Sequence, residues 1–200
     1  RWHTFLTKQA QKVGVHHFGE LARPCYIIAT DLYSGEPRIF GQDPNDKIID
    51  ALMASTALPP MHPPYKVHGR QYVDGNITHT LPVRVAADHG ATSIIGLNLI
   101  NQVAPNEHYT NIVSIAHRCV SIMLRQSIMR DIEHLGLAGD YQFKMINLRP
   151  LRPIDVTDFT QMDAMIEHGH TLTTAELQST GRAELSEETH LSQAALLAAA

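Results

Sequence analysis

Asp74, followed by Gly75 and Asn76, closes a short apolar run, Tyr72-Val73. A carboxylate delivered to a strand end in this way stands where open α/β sheets place their ligands, and there it can serve as a general base. Upstream lie the small-residue segment Ala54-Ser55-Thr56-Ala57 and the rigid pair Pro59-Pro60, with Pro63 and Pro64 close behind. Such a proline-heavy loop can wall a pocket against water. Asp-Gly is also a common turn dipeptide, so Asp74 gains its interest from this setting and not from the dipeptide.

Other chemistry-bearing residues read as structural. Ser55 stands at a predicted helix end with no strained elbow around it, and it reads as a small packing or capping residue. Asp31 closes an Ala-Thr-Asp run and reads as a strand-end turn residue. No GxGxxG, GxxxxGK[ST] or GxSxG occurs in these residues, which removes a dinucleotide fingerprint, a P-loop and a nucleophile elbow. The chain has 13 histidines, but His16-His17 and His168/His170 lack the i, i+4 spacing of two ligands on one helix face, and no HExxH is present. No metal and no cofactor is expected.

The elements that must position Asp74 can be read from the pattern. Residues 23–32 form a continuous apolar run that predicts a strand buried on both faces. The turn Ser34-Gly35-Glu36-Pro37 then leads into a short strand at 38–40, a hairpin. Asn45 or Asp46 is placed to cap a helix through Thr56, with Ile48, Ile49, Leu52 and Met53 as its apolar face and Pro59-Pro60 as its stop. Residues 65–67 and 71–73 flank His68-Gly69, a tight hairpin. Pro82 opens a helix that Gly90 ends, residues 92–100 predict a second buried strand, and 111–135 a long helix bearing Ile112, Ile115, Cys119, Ile122 and Met123. A third internal strand is expected at 141–148, and Asp158 is placed to cap a last helix through Leu177 with Phe159, Met162 and Ile166 inside. Residues 5–17 read as a weak helix ending near Gly19. The methionines at 123, 129, 162 and 165 fit core packing.

Strands alternating with helices predict an α/β protein, a three-layer α/β/α sandwich around a mostly parallel central sheet. One domain accommodates the 200 residues, with residues 181–200 as an alanine- and leucine-rich helical tail. The net charge of -4 argues against a nucleic-acid partner and is compatible with contact at a membrane periphery. Cys25 and Cys119 lie in apolar settings without CxxC spacing, so two buried thiols in a reduced, cytoplasmic compartment are expected. Arg1 in place of a starting Met suggests a piece of something longer.

The order of these motifs resembles the patatin-like phospholipases, a family of serine acyl hydrolases. LARPCYIIATDLYSGEPRIF is similar to the family's strand ending in Thr-Asp with a Gly turn. IIDALMASTALPPMHPP resembles its Ala-Ser-x-Ala-x-Pro helix end and proline loop. YVDGN stands where the family has Asp-Gly-Gly or Asp-Gly-Ala, and LPVRVAADHGATSIIGLNL is similar to the helix and strand that follow. A fainter likeness covers residues 150–177. The resemblance implies a Ser–Asp dyad without histidine, in which Asp74 is the base and Gly75, Asn76, Pro59 and Pro60 shape the turn and pocket. It implies a lipid or other ester substrate. It also implies that residues 1–180 are the C-terminal portion of such a domain, with the serine and a Gly-rich oxyanion loop on an upstream part of the same polypeptide. Two positions depart from the family pattern: Asn76 replaces a second Gly, and Thr80 replaces an Asn.

Overall fold

The computed structural model describes residues 2–59, 62–99, 110–138, 141–148 and 160–183. They fall into two compact units, Arg1–Thr80 and Leu81–Ala200.

The first unit is built on a four-stranded sheet. Helix α1 (Trp2–Val13) ends at Gly14, whose φ of 74° is the left-handed stop expected of glycine, five residues short of the expected Gly19. Then come β1 (Ile27–Asp31), β2 (Pro37–Phe40), helix α2 (Ile48–Ser55), β3 (Tyr65–Val67) and β4 (Arg70–Asp74). The strand order is β2-β1-β4-β3, and every neighbouring pair is antiparallel. The alternation of strands and helices in the sequence predicts a mostly parallel sheet instead. For β1–β2 and β3–β4 the reason for the difference is local: both hairpin turns are too short for the crossover that a parallel pair requires.

Each turn has an identifiable cause. After β1, Asp31 Oδ1 accepts the N–H groups of Tyr33 and Ser34 at 2.9 and 3.2 Å, and Gly35 takes φ 75°. Between β3 and β4, His68 (φ 48°) and Gly69 (φ 81°) are both left-handed, as the two-residue turn of a twisted hairpin demands. Helix α2 lies close on the sheet because Ala51 and Ala54, on its inner face, are fully buried. With Phe18, Ala29, Phe40, Val67 and Tyr72 they form one core, in which the Phe40 and Tyr72 rings meet edge to face at 5.7 Å.

Neither Asn45 nor Asp46, the expected caps, stands at the N-cap of α2. Lys47 occupies the N-cap of α2 and makes no side-chain cap. Asp46 is committed elsewhere: Arg38 Nη2 donates to both of its carboxylate oxygens at 2.8 and 3.0 Å, and Gly41 N–H to one of them at 3.0 Å.

The second unit contains a βαβ crossover. Helix α3 (Val83–Asp88) ends ahead of Gly90, φ 90°. Strand β5 (Ser93–Asn98), helix α4 (Ile112–Ala138) and parallel strand β6 (Gln142–Asn147) follow, then helix α5 (Met162–Ala183). Its core gathers Leu81, Val83, Ile94, Ile128, Ile132 and Leu135. Gly96 keeps room for Leu81 and Phe143, whose atoms would lie 3.1 and 3.2 Å from an added Cβ. Asn98 Nδ2 donates to Asn147 Oδ1 at 2.8 Å across the in-register pair.

Several burial expectations fail here. Strand β5 is buried on one face only, with Ile95 and Leu97 exposed. Met123, Met162, Met165 and Ile166 are exposed, not core, and so are both cysteines, Cys25 and Cys119. The apolar spacing is real; the neighbour it requires is absent among the described residues. Asp158 and Phe159, expected to open the last helix, lie outside the described residues, as does 184–200 of the expected tail.

Arg70, opening β4, donates through Nε to Asp31 Oδ2 at the end of β1 and holds that carboxyl below the usual aspartate range. A carboxyl depressed in the folded state stabilises above its unfolded pKa and loses that contribution as pH falls through the folded value. Arg70→Met is therefore expected to lower the melting temperature at neutral pH, with the difference from wild type vanishing on acidification. Thermal melts across the acid range check this.

Candidate active site around Asp74

Asp74 is the last residue of β4, delivered there by the buried pair Tyr72-Val73. Its strand is locked to β1 by the register Ala29↔Asp74, Thr30↔Val73 and Asp31↔Tyr72. Three hydrogen bonds fix the residue itself. Its N–H donates to Ala57 O at 3.1 Å, tying it to the segment that follows α2. Its carbonyl accepts from Thr30 Oγ1 at 3.0 Å. Its Oδ1 accepts the Asn76 N–H at 2.9 Å, which caps a single 3₁₀ turn over Gly75–Ile77.

Gly75 is required sterically. An added Cβ would sit 2.3 Å from the Ile28 carbonyl oxygen and 2.8 Å from its carbon, so the backbone of β1 occupies the space a side chain would need. Asn76 is exposed, and its contribution is the N–H. The left-handed backbone that would have made Asn a fitting substitute for glycine is not used, because His68 is the one left-handed non-glycine residue among those described.

The electrostatics separate two carboxylates on adjacent strands. Asp31 and Asp74 are both largely buried, at 6% and 9% exposure. Asp31 is satisfied as an anion by Arg70 and two backbone donors, and its pKa is lowered, chiefly by the Arg70 hydrogen bond. Asp74 has one hydrogen-bond donor on its carboxylate and no ion pair among the described residues. Burial pushes its pKa up, against a smaller downward pull from the Asn76 N–H. A carboxylate whose charge is poorly compensated is the better proton acceptor. The geometry therefore reserves Asp31 for the turn and leaves Asp74 able to take a proton from a hydroxyl.

The other sequence-level candidates separate clearly. Ser55 ends α2, half-buried, as a packing residue. Pro59 is exposed, in the segment that begins at the Ala57 contact, and Pro60 lies outside the described residues. His17 and Glu20 pair at 3.2 Å, and the N–H groups of His16 and His17 hold the Glu20 carboxyl down to about 2, so this histidine pair serves a local turn. No group of His, Cys, Asp and Glu able to hold a metal ion occurs among the described residues. A hydroxyl brace that the sequence does not reveal supports the site. Thr30 Oγ1, besides donating to Asp74 O, lies 3.0 Å from Thr78 Oγ1, and only the strand register reveals that these threonines meet.

Fold and site together define an α/β unit that carries a buried, sparsely compensated carboxylate at a strand end. The patatin-like phospholipase family model matches residues 4–87, a span that holds β1 to β4, α2 and Asp74. The similarity is thus to a family of lipid acyl hydrolases, and it covers the unit in which the Asp74 site is built.

Gly75→Ala is expected to destabilise the chain by about 1–3 kcal/mol, because β1 or the turn must move. Urea unfolding checks this, and a loss near zero would show that the close approach to Ile28 is not a constraint.

Proposed function

We propose that these residues form the aspartate-bearing portion of a lipid acyl hydrolase of phospholipase or carboxylesterase type. The observation that carries this reading is the coincidence of the family match with a buried, poorly compensated Asp74. Residues 1–180 would be the C-terminal portion of the domain, and an upstream part of the polypeptide would supply a serine on a Gly-x-Ser-x-Gly elbow and a Gly-rich oxyanion loop. The bare face of β5 favours such a supply: Ile95 and Leu97 point outward from a parallel pair, and parallel sheets are ordinarily covered on both faces.

The chemistry follows from the dyad. The Asp74 carboxylate accepts the serine hydroxyl proton as Oγ attacks the ester carbonyl. Backbone N–H groups of the glycine loop stabilise the oxyanion. The departing alcohol takes the proton from Asp74, leaving an acyl-serine. Water then attacks this ester with Asp74 again as base, releasing the acid and the free serine. The substrate is a lipid or other ester, met in the cytoplasm or at a membrane periphery. No cofactor enters these steps.

A second reading is favoured by one observation, the lack of any Gly-x-Ser-x-Gly in these 200 residues. On that reading the chain is a non-catalytic patatin-like domain that binds a lipid or protein partner.

Hydrolysis of p-nitrophenyl esters by the intact parent separates the two. Asp74→Asn is expected to lower turnover by about 10²–10⁴-fold with the fold retained. Unchanged turnover would exclude Asp74 as the base, and an inert parent would favour the binding domain.

A further inference from the structure

Helix α4 carries two apolar faces, and one of them has no partner among the described residues. Its C-terminal half buries Ile128, Ile132 and Leu135 in the core of the second unit. Its N-terminal half exposes Ile112, Ile115, Ile122 and Met123, by 81, 46, 43 and 68% respectively, together with Cys119. At about 100° per residue these form one stripe, roughly 17 Å long, on a side of the helix about 160° from the buried face. The stripe therefore does not continue the core packing.

Its charge setting is distinctive. Over the stripe itself, Ile112–Met123, the helix holds Arg118 and no Asp or Glu; Arg125 and Arg130 follow, and the acids Asp131 and Glu133 come only after them, in a chain whose net charge is -4. On the helical wheel Arg118 and Arg125 flank one side of the stripe, and Arg130 follows along its line two turns after Met123. No described helix is long and apolar enough to cross a membrane. An apolar stripe bordered by arginine, with no acid along its own length, is the pattern of a helix that lies in the plane of an anionic lipid surface. The bare face of β5 differs, since residues 93–99 carry no charge at all.

We propose that the N-terminal half of α4 is a docking face for anionic lipid, with Ile112, Ile115, Cys119, Ile122 and Met123 entering the apolar boundary and Arg118 and Arg130 meeting headgroup phosphates. The inference rests on α4 alone and holds whether or not the chain serves a hydrolase.

Flotation with vesicles of phosphatidylcholine, with and without an equal part of phosphatidylglycerol, tests it without any substrate turnover. The 200-residue chain is expected to float with the anionic vesicles, weakly with the neutral ones, and less as salt rises from about 0.05 to 0.5 M. The exposed double variant Ile115→Asp, Met123→Asp is expected to reduce partitioning by about tenfold or more while leaving circular dichroism unchanged. An environment-sensitive dye on Cys119, in a Cys25→Ser background, is expected to shift to the blue on anionic vesicles. Failure to float, an unmoved dye, or undiminished binding by the double variant would overturn the proposal. A wild-type dimer that the double variant converts to monomer, with no vesicle binding, would assign the stripe to a second copy and overturn it equally.

Discussion

The site depends on the close approach of the turn after β4 to the backbone of β1. With Gly75 against the Ile28 carbonyl, the chain turns at once as it leaves the sheet. Asp74 is thereby held at the rim, with its N–H on Ala57, its carbonyl on Thr30 and one carboxylate oxygen on Asn76. A side chain at position 75 would separate the strands or lift the turn, and the carboxylate would gain water. Its raised pKa follows from that shelter, since burial is the larger influence and a single backbone donor the smaller.

The same sheet shows why one of two buried aspartates is suited to proton transfer. Asp31 and Asp74 lie on neighbouring strands and end them in similar ways, each accepting a backbone N–H two residues on. Arg70 engages Asp31 and stabilises that anion, whereas Asp74 has no ion pair among the described residues. The two carboxyls are driven apart in pKa by different causes, Arg70 lowering Asp31 and burial raising Asp74.

Asp74, its Gly turn, both hairpins and the stop at Gly90 were legible in the sequence because each depends on local chemistry: turn residues, proline, and apolar runs. The parallel pair β5–β6 follows from the alternation of strand and helix signals, whereas the antiparallel order of the four-stranded sheet does not, because there short hairpin turns and not crossover helices join β1 to β2 and β3 to β4. The Thr30–Thr78 brace was hidden, since it depends on register across residues far apart in sequence. The faces of α4 show the clearest limit. The periodicity of Ile112, Ile115, Cys119 and Ile122 identifies an apolar stripe, but spacing does not say whether a core or a different surface receives it. Cys25, Met162 and Met165, expected inside, are exposed for the same reason, as apolar character does not determine burial.

The contrast between the two aspartates is open to direct measurement. Carbon-detected NMR titration of the side-chain carboxyls, assigned with Asp31→Asn and Asp74→Asn, should show Asp74 titrating above the ordinary value of 3.8 and Asp31 below it. If Asp74 titrated at or below that value, or the order of the two were reversed, Asp74 would not be the poised base described here.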